Sequence, residues 1–265
     1  MANETSAFGA VRFDQVELPD TIYKYRSWAN PEHRRILTHT EIHFSKPLDL
    51  SSNTELVFKR NDEGITDHDL FDYYYRKFKE YSKLSEEQCI QAAKEWANNS
   101  PLRNADFVKS QNEIFKERLN FMFGIFSVSK HKNIERMWRD FGNNDFGFCV
   151  GFDSKKLMAP DLILSSGGHV TYYARQDAPV FKPFYDEPLQ SVADMLNILY
   201  NLPKEFAQED EYRLVRRIMF NQEITVPPDA FKEIILGRRM AERDKEEIKK
   251  LAGERFKSCK VLDQE

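Results

Sequence analysis

Apolar and polar residues alternate along several short segments of the chain, and a spacing of two is typical of β-strands. The clearest case is residues 146–152, where Phe or Val occupies every second position and Gly or Cys the positions between. Small residues on one face let a helix, a backbone segment or a ligand approach closely. Weaker alternation and short apolar runs predict further strands at 22–26, 41–46, 125–129, 169–174, 209–215 and 233–236.

Apolar residues recur every three or four positions elsewhere, which predicts helices at 32–38, 134–141, 189–199 and 238–257. Residues 66–123 carry the same helical spacing. Strands and helices are interspersed without a regular βαβ repeat, so we expect an α+β fold in which helices pack on a mixed or mostly antiparallel sheet. The prediction is one domain over residues 1–265, with 1–20 as a loose leader and about 66–123 as a helical insertion.

Composition narrows the class of protein. A hydrophobic content of 41% is enough to bury a core, and the net charge of -4 gives no overall attraction to nucleic acid or to an anionic membrane. Three cysteines without paired spacing argue against a disulfide framework. The sequence has no signal-like start and no apolar run of roughly 20 residues, so the cytoplasm is the expected location and no membrane contact is predicted.

Common cofactor motifs are missing from the sequence. It contains neither GxGxxG nor GxxxxGK[ST], which removes the two commonest nucleotide-binding folds. It also contains no HExxH and no CxxC, so no metal site is predicted.

Two glutamates stand out as candidate chemistry. Glu209 and Glu211 open the predicted strand 209–215, and alternation would place them on one side together with Arg213. Such a cluster is costly to bury unless the charges are paired. Two convergent carboxylates can stabilise a cation-like transition state on a sugar. The alternatives are that Glu211 forms a structural ion pair with Arg213 or Arg26, and that Glu209 is solvated.

Four sequence blocks resemble a family of uncharacterised bacterial proteins, the domain of unknown function 2971. The resemblance runs from Ile22 to about Met240, and the family name implies no activity. The family usually has a Phe-Asn-Asp-Pro-like turn after the block that begins at His43, whereas this chain reads Pro47-Leu48-Asp49 there. The blocks are Ile22–Ser27, His43–Pro47, Phe126-Ser127 with Met137-Trp138 and Gly147–Asp153, and Glu209–Val215 with Ile234–Gly237.

A second pattern resembles the Arg-Ser-Glu order of ADP-ribosyltransferases. An Arg lies on the first predicted strand, a Ser on an aromatic-flanked strand and a Glu-x-Glu near the end: Arg26, Ser45 and Glu211, with Glu209 upstream. The resemblance implies a split α+β sheet without a Gly-rich loop and NAD as substrate. It also implies transfer of ADP-ribose to a protein or nucleic-acid acceptor, or hydrolysis of NAD. By analogy with bacterial enzymes of that class, it suggests a toxin or an antiphage defence protein.

The same resemblance assigns roles to residues. Glu211 would bind a ribose hydroxyl of NAD and stabilise the oxocarbenium-like state, and Glu209 would position or deprotonate the acceptor. Arg26 would hold the pyrophosphate, and Ser45 the nicotinamide ribose. The remaining predicted NAD contacts are Tyr25, Trp138, which would stack on a base, and Arg213. Each has a structural alternative: a salt bridge for Arg26, a turn for Ser45 and the core for Trp138.

Two other functions stay open at this point. The protein could be a sensor or interaction module that binds a nucleotide through Arg26 and Arg213 without catalysis. It could also be a nuclease in which Glu209 and Glu211 hold a divalent metal ion. The acceptor and the oligomeric state are not determined by the sequence.

Overall fold

The computed structural model describes residues 19–50, 59–60, 66–157, 166–178, 180–181, 198–217 and 222–265. The strands are β1 Thr21–Arg26, β2 Glu41–His43, β3 Lys59–Arg60, β4 Phe123–Ser129, β5 Phe148–Asp153, β6 Ser166–His169, β7 Thr171–Tyr173, β8 Val180–Phe181, β9 Asn201–Pro203, β10 Glu211–Arg217, β11 Glu223–Thr225, β12 Phe231–Leu236 and β13 Lys260–Asp263. The α-helices are α1 Pro31–Thr38, α2 Asp67–Tyr81, α3 Glu86–Asn98, α4 Ala105–Met122, α5 Glu135–Asp140, α6 Ser154–Leu157 and α7 Glu242–Arg255.

A seven-stranded sheet of order β13-β12-β5-β1-β4-β10-β6 organises the described residues. Its pairs are antiparallel except for β12 with β13, which run parallel. Helices pack on both faces of this sheet, so the predicted α+β class is confirmed.

The sheet parts in its middle. β1 pairs with β5 along its whole length, from Thr21 to Arg26, but it shares with β4 the single pair Tyr23 and Ser129. On the far side, β10 pairs with β4 from Glu211 to Arg217. The sheet therefore consists of two halves, β13-β12-β5-β1 and β4-β10-β6, which join near Tyr23 and separate towards Arg26.

The alternation in β5 separates two packing layers. Phe148, Val150 and Phe152 are fully buried in the main core, which includes Leu37 of α1 and Ile248 of α7. On the opposite face, Cys149 packs with Tyr25, Trp138 and Ile235. The small-residue face of β5 is thus covered by α5, the close helix approach that its composition predicts.

Helices α2, α3 and α4 occupy most of the predicted insertion. Capping boxes start α2 at Thr66 and α3 at Ser85. The α2–α3 hairpin has its own small core, in which Leu70, Tyr74, Ala93 and Ala97 are buried.

Several strand predictions are wrong at their boundaries: β2 ends at His43, not at 46, and β5 begins at Phe148, not at 146. The strand predicted at 209–215 begins at Glu211, because Glu209 ends a 3₁₀ helix that starts at Lys204 and Asp210 adopts a left-handed conformation, with φ 43°. The segment predicted at 169–174 divides into β6, which ends at His169, and β7, which begins at Thr171. The sequence does not predict β13, whose strand partner among the described residues, β12, precedes it by more than a helix.

Other predictions fall partly outside the described residues. The proposed leader is described only from residue 19, and the helix predicted at 189–199 only at Ile198 and Leu199. Among the described residues, no helix is long and apolar enough to cross a membrane.

Gly147 provides a test of this packing. A Cβ atom added there would lie 2.2 Å from the carbonyl oxygen of Arg26 and 2.8 Å from that of Gly142. Since both contacts are with backbone, we expect Gly147→Ala to lower the free energy of unfolding by about 2–3 kcal/mol in urea denaturation. Gly253 in α7 is the control, because no atom lies within 4 Å of its added Cβ. Gly253→Ala should raise stability by roughly 0.5–1 kcal/mol, and a similar loss in both variants would contradict the packing described.

Candidate functional site

A cavity of ≈ 360 Å³ opens where the two halves of the sheet part. Ligand pockets in proteins commonly measure about 300–1,000 Å³. The main elements around it are β1, β4, α5 and the turn before β10. The residues that line it are Lys24, Tyr25, Arg26, Ser27, His33, Ser45, Asp49, Leu50, Ser127, Val128, Met137, Asp140, Phe141, Asn143, Glu209 and Glu211.

The structure brings most of the predicted site residues together. Arg26, Ser45, Glu209 and Glu211 line this one cavity, although they come from three distant parts of the chain. Tyr25 borders it as well. Trp138 and Arg213 are not part of its lining.

Arg26 supplies a guanidinium that no residue in the described part of the chain pairs. It ends β1, and among the described residues no hydrogen-bond acceptor or carboxylate lies within bonding distance of its side chain. Burial lowers the pKa of the guanidinium to about 10, so it remains charged at neutral pH. The salt bridge that was the alternative for Arg26 does not form within the described part of the chain.

Glu211 is held by a buried ion pair. Nε of Arg213 donates to Oε1 of Glu211 at 2.8 Å and Nη2 donates to Oε2 at 3.4 Å. The two side chains are only 7% and 1% exposed. Arg213 also donates through Nη1 to the carbonyl oxygen of Leu199 at 2.7 Å. The ion-pair alternative for Glu211 is therefore present, and it fixes the plane of a carboxylate that borders the cavity.

Arg213 itself does not lie where a ligand contact was predicted. Its side chain is buried on the far side of Glu211, and its donors are directed to protein oxygens. We reassign Arg213 as a residue that positions Glu211.

Glu209 reaches the cavity by a different route from the one predicted. It precedes β10, and the left-handed Asp210 turns the chain between the two glutamates. Nη2 of Arg136 lies 3.5 Å from Oε1 of Glu209, whose side chain is 10% exposed. Arg136 also lies 3.4 Å from Asp140, another cavity residue. Arg136 thus lies near the carboxylates of both Glu209 and Asp140, and Arg139 also binds Asp140, with 2.8 Å between Nε and Oδ1.

The turn at Asp210 is stabilised by its neighbours. Lys130, His131 and His169 place nitrogen atoms 2.9, 2.9 and 2.8 Å from its carboxylate oxygens. Burial acts in the opposite direction, but the hydrogen bonds with His169 and Lys130 lower the pKa of Asp210. These contacts offset the cost of a left-handed non-glycine residue and keep Glu209 and Glu211 at the cavity.

The two predicted aromatic contacts belong mainly to the core. Trp138 is 1% exposed, meets Tyr25 edge to face at 5.2 Å, and donates from Nε1 to the carbonyl oxygen of Lys132 at 2.9 Å. Trp138 is therefore enclosed and not placed to stack on a base in this cavity. Tyr25 is 1% exposed and donates its hydroxyl to the carbonyl oxygen of His131 at 2.6 Å.

His33 is a cavity residue that the sequence did not indicate. The backbone N–H of Ser27 donates to its Nδ1 at 3.2 Å. Burial, together with the charges of Arg26 and Lys24, lowers the pKa of His33 to about 4. The residues next to His33 in the sequence do not indicate a binding site, because its place at the cavity depends on how α1 packs beside β1.

Ser127 and the segment after Ser45 are the other additions. Ser127 lines the cavity, and Nζ of Lys24 donates to its carbonyl oxygen at 2.5 Å across the gap between β1 and β4. Pro47–Asp49, where this chain departs from the usual family turn, forms a 3₁₀ helix whose Asp49 borders the cavity. In the sequence, Ser127 is marked only by its place in Phe126-Ser127, one of the segments that resemble the family.

No group of three or more His, Cys, Asp or Glu suitable for a metal ion occurs among the described residues. Glu209 and Glu211 at the cavity instead have arginine partners.

The neutral state of His33 predicts a pH dependence of stability. An unfolded chain protonates a histidine below about pH 6.5, whereas the folded protein resists this down to about pH 4. The unfolded state then binds more protons, so the protein should lose stability as the pH falls through this window. His33→Gln cannot protonate, and its thermal midpoint should fall less than the wild-type midpoint between about pH 7 and pH 5. His39→Gln, at the exposed end of α1, is the control; equal losses in all three proteins would contradict the assignment.

Comparison with known proteins adds one match. The model of a family described as a protein of unknown function, DUF2971, matches residues 137–214. No curated protein and no solved structure matches the chain. The matched segment begins in α5 and ends in β10, so it contributes Glu209 and Glu211 to the cavity, whereas Arg26 and Ser45 precede it. The resemblance to the domain of unknown function 2971 family, which the sequence motifs predict, is confirmed over residues 137–214 of this chain.

Proposed function

We propose that this protein is an ADP-ribosyltransferase-like enzyme that cleaves the nicotinamide–ribose bond of NAD. One observation carries the proposal: Arg26 and Glu211, on strands from the two halves of the sheet, border a single cavity at the parting. Among the described residues the guanidinium has no acceptor and is placed to bind an anion, and the carboxylate has a fixed orientation. This pairs a phosphate-binding group with a group that stabilises positive charge on a sugar.

Glu211 is the proposed catalytic residue. Its carboxylate would accept a hydrogen bond from a hydroxyl of the nicotinamide ribose. As the bond between C1′ and the pyridine nitrogen breaks, nicotinamide leaves with the electron pair, and positive charge develops on the ribose ring. A carboxylate held rigidly in a buried pair stabilises that charge without having to reorient. Arg213 supplies the rigidity through its contacts at 2.8 and 3.4 Å.

The other cavity residues would bind the substrate and the acceptor. Arg26 would hold the pyrophosphate, and Ser45 would contact the nicotinamide ribose. An acceptor nucleophile, or water, would attack C1′ and lose its proton to Glu209 or to solvent. Arg136 keeps Glu209 directed towards the cavity by their 3.5 Å contact.

Nicotinamide release tests the chemistry. The wild-type protein, incubated with NAD and with a bacterial lysate as a source of acceptor, should release free nicotinamide, measured by chromatography. Glu211→Gln keeps the shape of the side chain but removes its charge, and we expect the rate to fall by about 10²-fold or more. Glu233→Gln is the matched control, because Glu233 is also a strand glutamate, is 15% exposed, and does not line the cavity.

The control separates catalysis from folding. Glu233→Gln should retain the wild-type rate, and circular dichroism should show that both variants are folded. A Glu211→Gln protein with wild-type turnover would overturn the proposal. If no protein releases nicotinamide but NAD raises the thermal midpoint of the wild type, the binding module without catalysis becomes the better description. One observation favours a binding module without catalysis: Arg213 already donates hydrogen bonds to both carboxylate oxygens of Glu211.

The proposal extends to a cellular role. By analogy with bacterial ADP-ribosyltransferases, consumption of NAD or modification of an acceptor would make the protein a toxin or an antiphage defence protein. Induced expression in a bacterial host should then slow growth, and Glu211→Gln should restore growth at the same protein level. Equal growth with the wild type and the variant would argue against toxicity. It would not bear on the enzymatic activity, which the release of nicotinamide tests.

A further inference from the structure

A second cavity, of ≈ 280 Å³, lies beside the first. It is bordered by α1, by β2 and by Glu223 of the neighbouring strand β11. Ile36, Ile42 and Phe126 provide buried apolar surface there. Polar pairs stand at its walls: Arg35 with Glu41, and His43 with Glu223.

The two cavities share three residues, Arg26, His33 and Ser45. The cavities are therefore adjacent, with the shared residues at their junction, and we call them the two compartments of one cleft. Glu209 and Glu211 border only the first compartment. Any ligand that fills both compartments must pass Arg26.

The junction is suited to an anion. The Arg26 side chain has no protein partner among the described residues. His33 accepts a hydrogen bond at Nδ1 from the N–H of Ser27, so its neutral ring carries its proton on Nε2 and presents a donor. The Ser45 hydroxyl adds another donor at the same place. Guanidinium, imidazole N–H and hydroxyl are donors that phosphate oxygens accept readily.

We propose that Arg26 and His33 form a binding site for the pyrophosphate of a dinucleotide whose two nucleosides occupy the two compartments. The site rests on the proposed function for the identity of that dinucleotide, NAD. The nicotinamide nucleoside lies beside Glu211. The second compartment takes the adenosine, whose base packs against the apolar surface of Ile36, Ile42 and Phe126. His33 is then a binding residue and His43 a residue at the rim that sets the size of the second compartment.

The anion site is tested with inorganic pyrophosphate and ADP. Their dissociation constants are measured by calorimetry for the wild type, His33→Phe and His33→Gln. Phe removes the donor, and we expect both ligands to bind about tenfold more weakly. Gln retains an N–H donor and should recover part of the affinity. His39→Phe, at the residue that follows α1 and outside both cavities, should bind as the wild type does. Unchanged binding by a folded His33→Phe protein would overturn the assignment.

The second compartment is tested with ligands of different length. Because turnover would obscure binding, NAD and nicotinamide mononucleotide are compared on Glu211→Gln. His43 is 48% exposed, so His43→Trp can be added there without disturbing the core. We expect the added indole to weaken the binding of NAD about tenfold or more. The binding of nicotinamide mononucleotide, which does not enter this compartment, should be unchanged. Equal effects on the two ligands, or none on either, would overturn the two-compartment assignment.

These outcomes separate the two proposals. Nicotinamide release by the wild type with no selective effect of His43→Trp would keep the enzyme and reject the second compartment. Selective weakening of NAD without nicotinamide release from any protein would keep the two-compartment cleft and reject the catalytic function.

Discussion

The single strand pair between Tyr23 and Ser129 is the constraint on which the site depends. If β1 paired with β4 along its full length, backbone hydrogen bonds would close the space that is now the cavity. Instead β1 remains paired with β5 up to Arg26, so one half of the sheet carries the guanidinium of Arg26. The other half carries Glu211 at the start of β10. Lys24 bridges the gap through its contact with the Ser127 carbonyl oxygen, which satisfies one of the acceptors that the parting exposes.

Charge is distributed unequally across this gap. Each glutamate at the cavity has an arginine behind it: Arg136 for Glu209 and Arg213 for Glu211. Arg26 has no such partner within the described residues. A buried carboxylate is tolerated only when it is paired. Here the arginine partners lie outside the cavity lining, so each ion pair fixes a carboxylate at the cavity wall. Within the described part of the chain, the cavity therefore combines two paired carboxylates with a guanidinium for which no partner is found.

The cleft has an acidic side and a basic side, and the family match covers the acidic side. Residues 137–214 include α5, β5 and the Glu209–Glu211 turn, so the matched segment forms the acidic side of the cleft. The basic side comes from β1 and the start of α1, where Arg26 and His33 lie. The segment after Ser45 also borders the cleft, through Asp49, and lies outside the matched residues.

Local pattern determined much of this protein. The alternation in β5 fixed which residues face the main core, and helical spacing located α1, α5 and the insertion, because both signals act between neighbouring residues. The sequence also indicated Arg26, Ser45, Glu209 and Glu211. Only the tertiary structure decided that these four residues border one cavity, since the parting of the sheet depends on pairing between distant strands. The core position of Trp138 was already an alternative in the sequence, whereas the tertiary structure alone placed Arg213 behind Glu211 and His33 at the junction, because their burial and partners are set by contacts between distant segments.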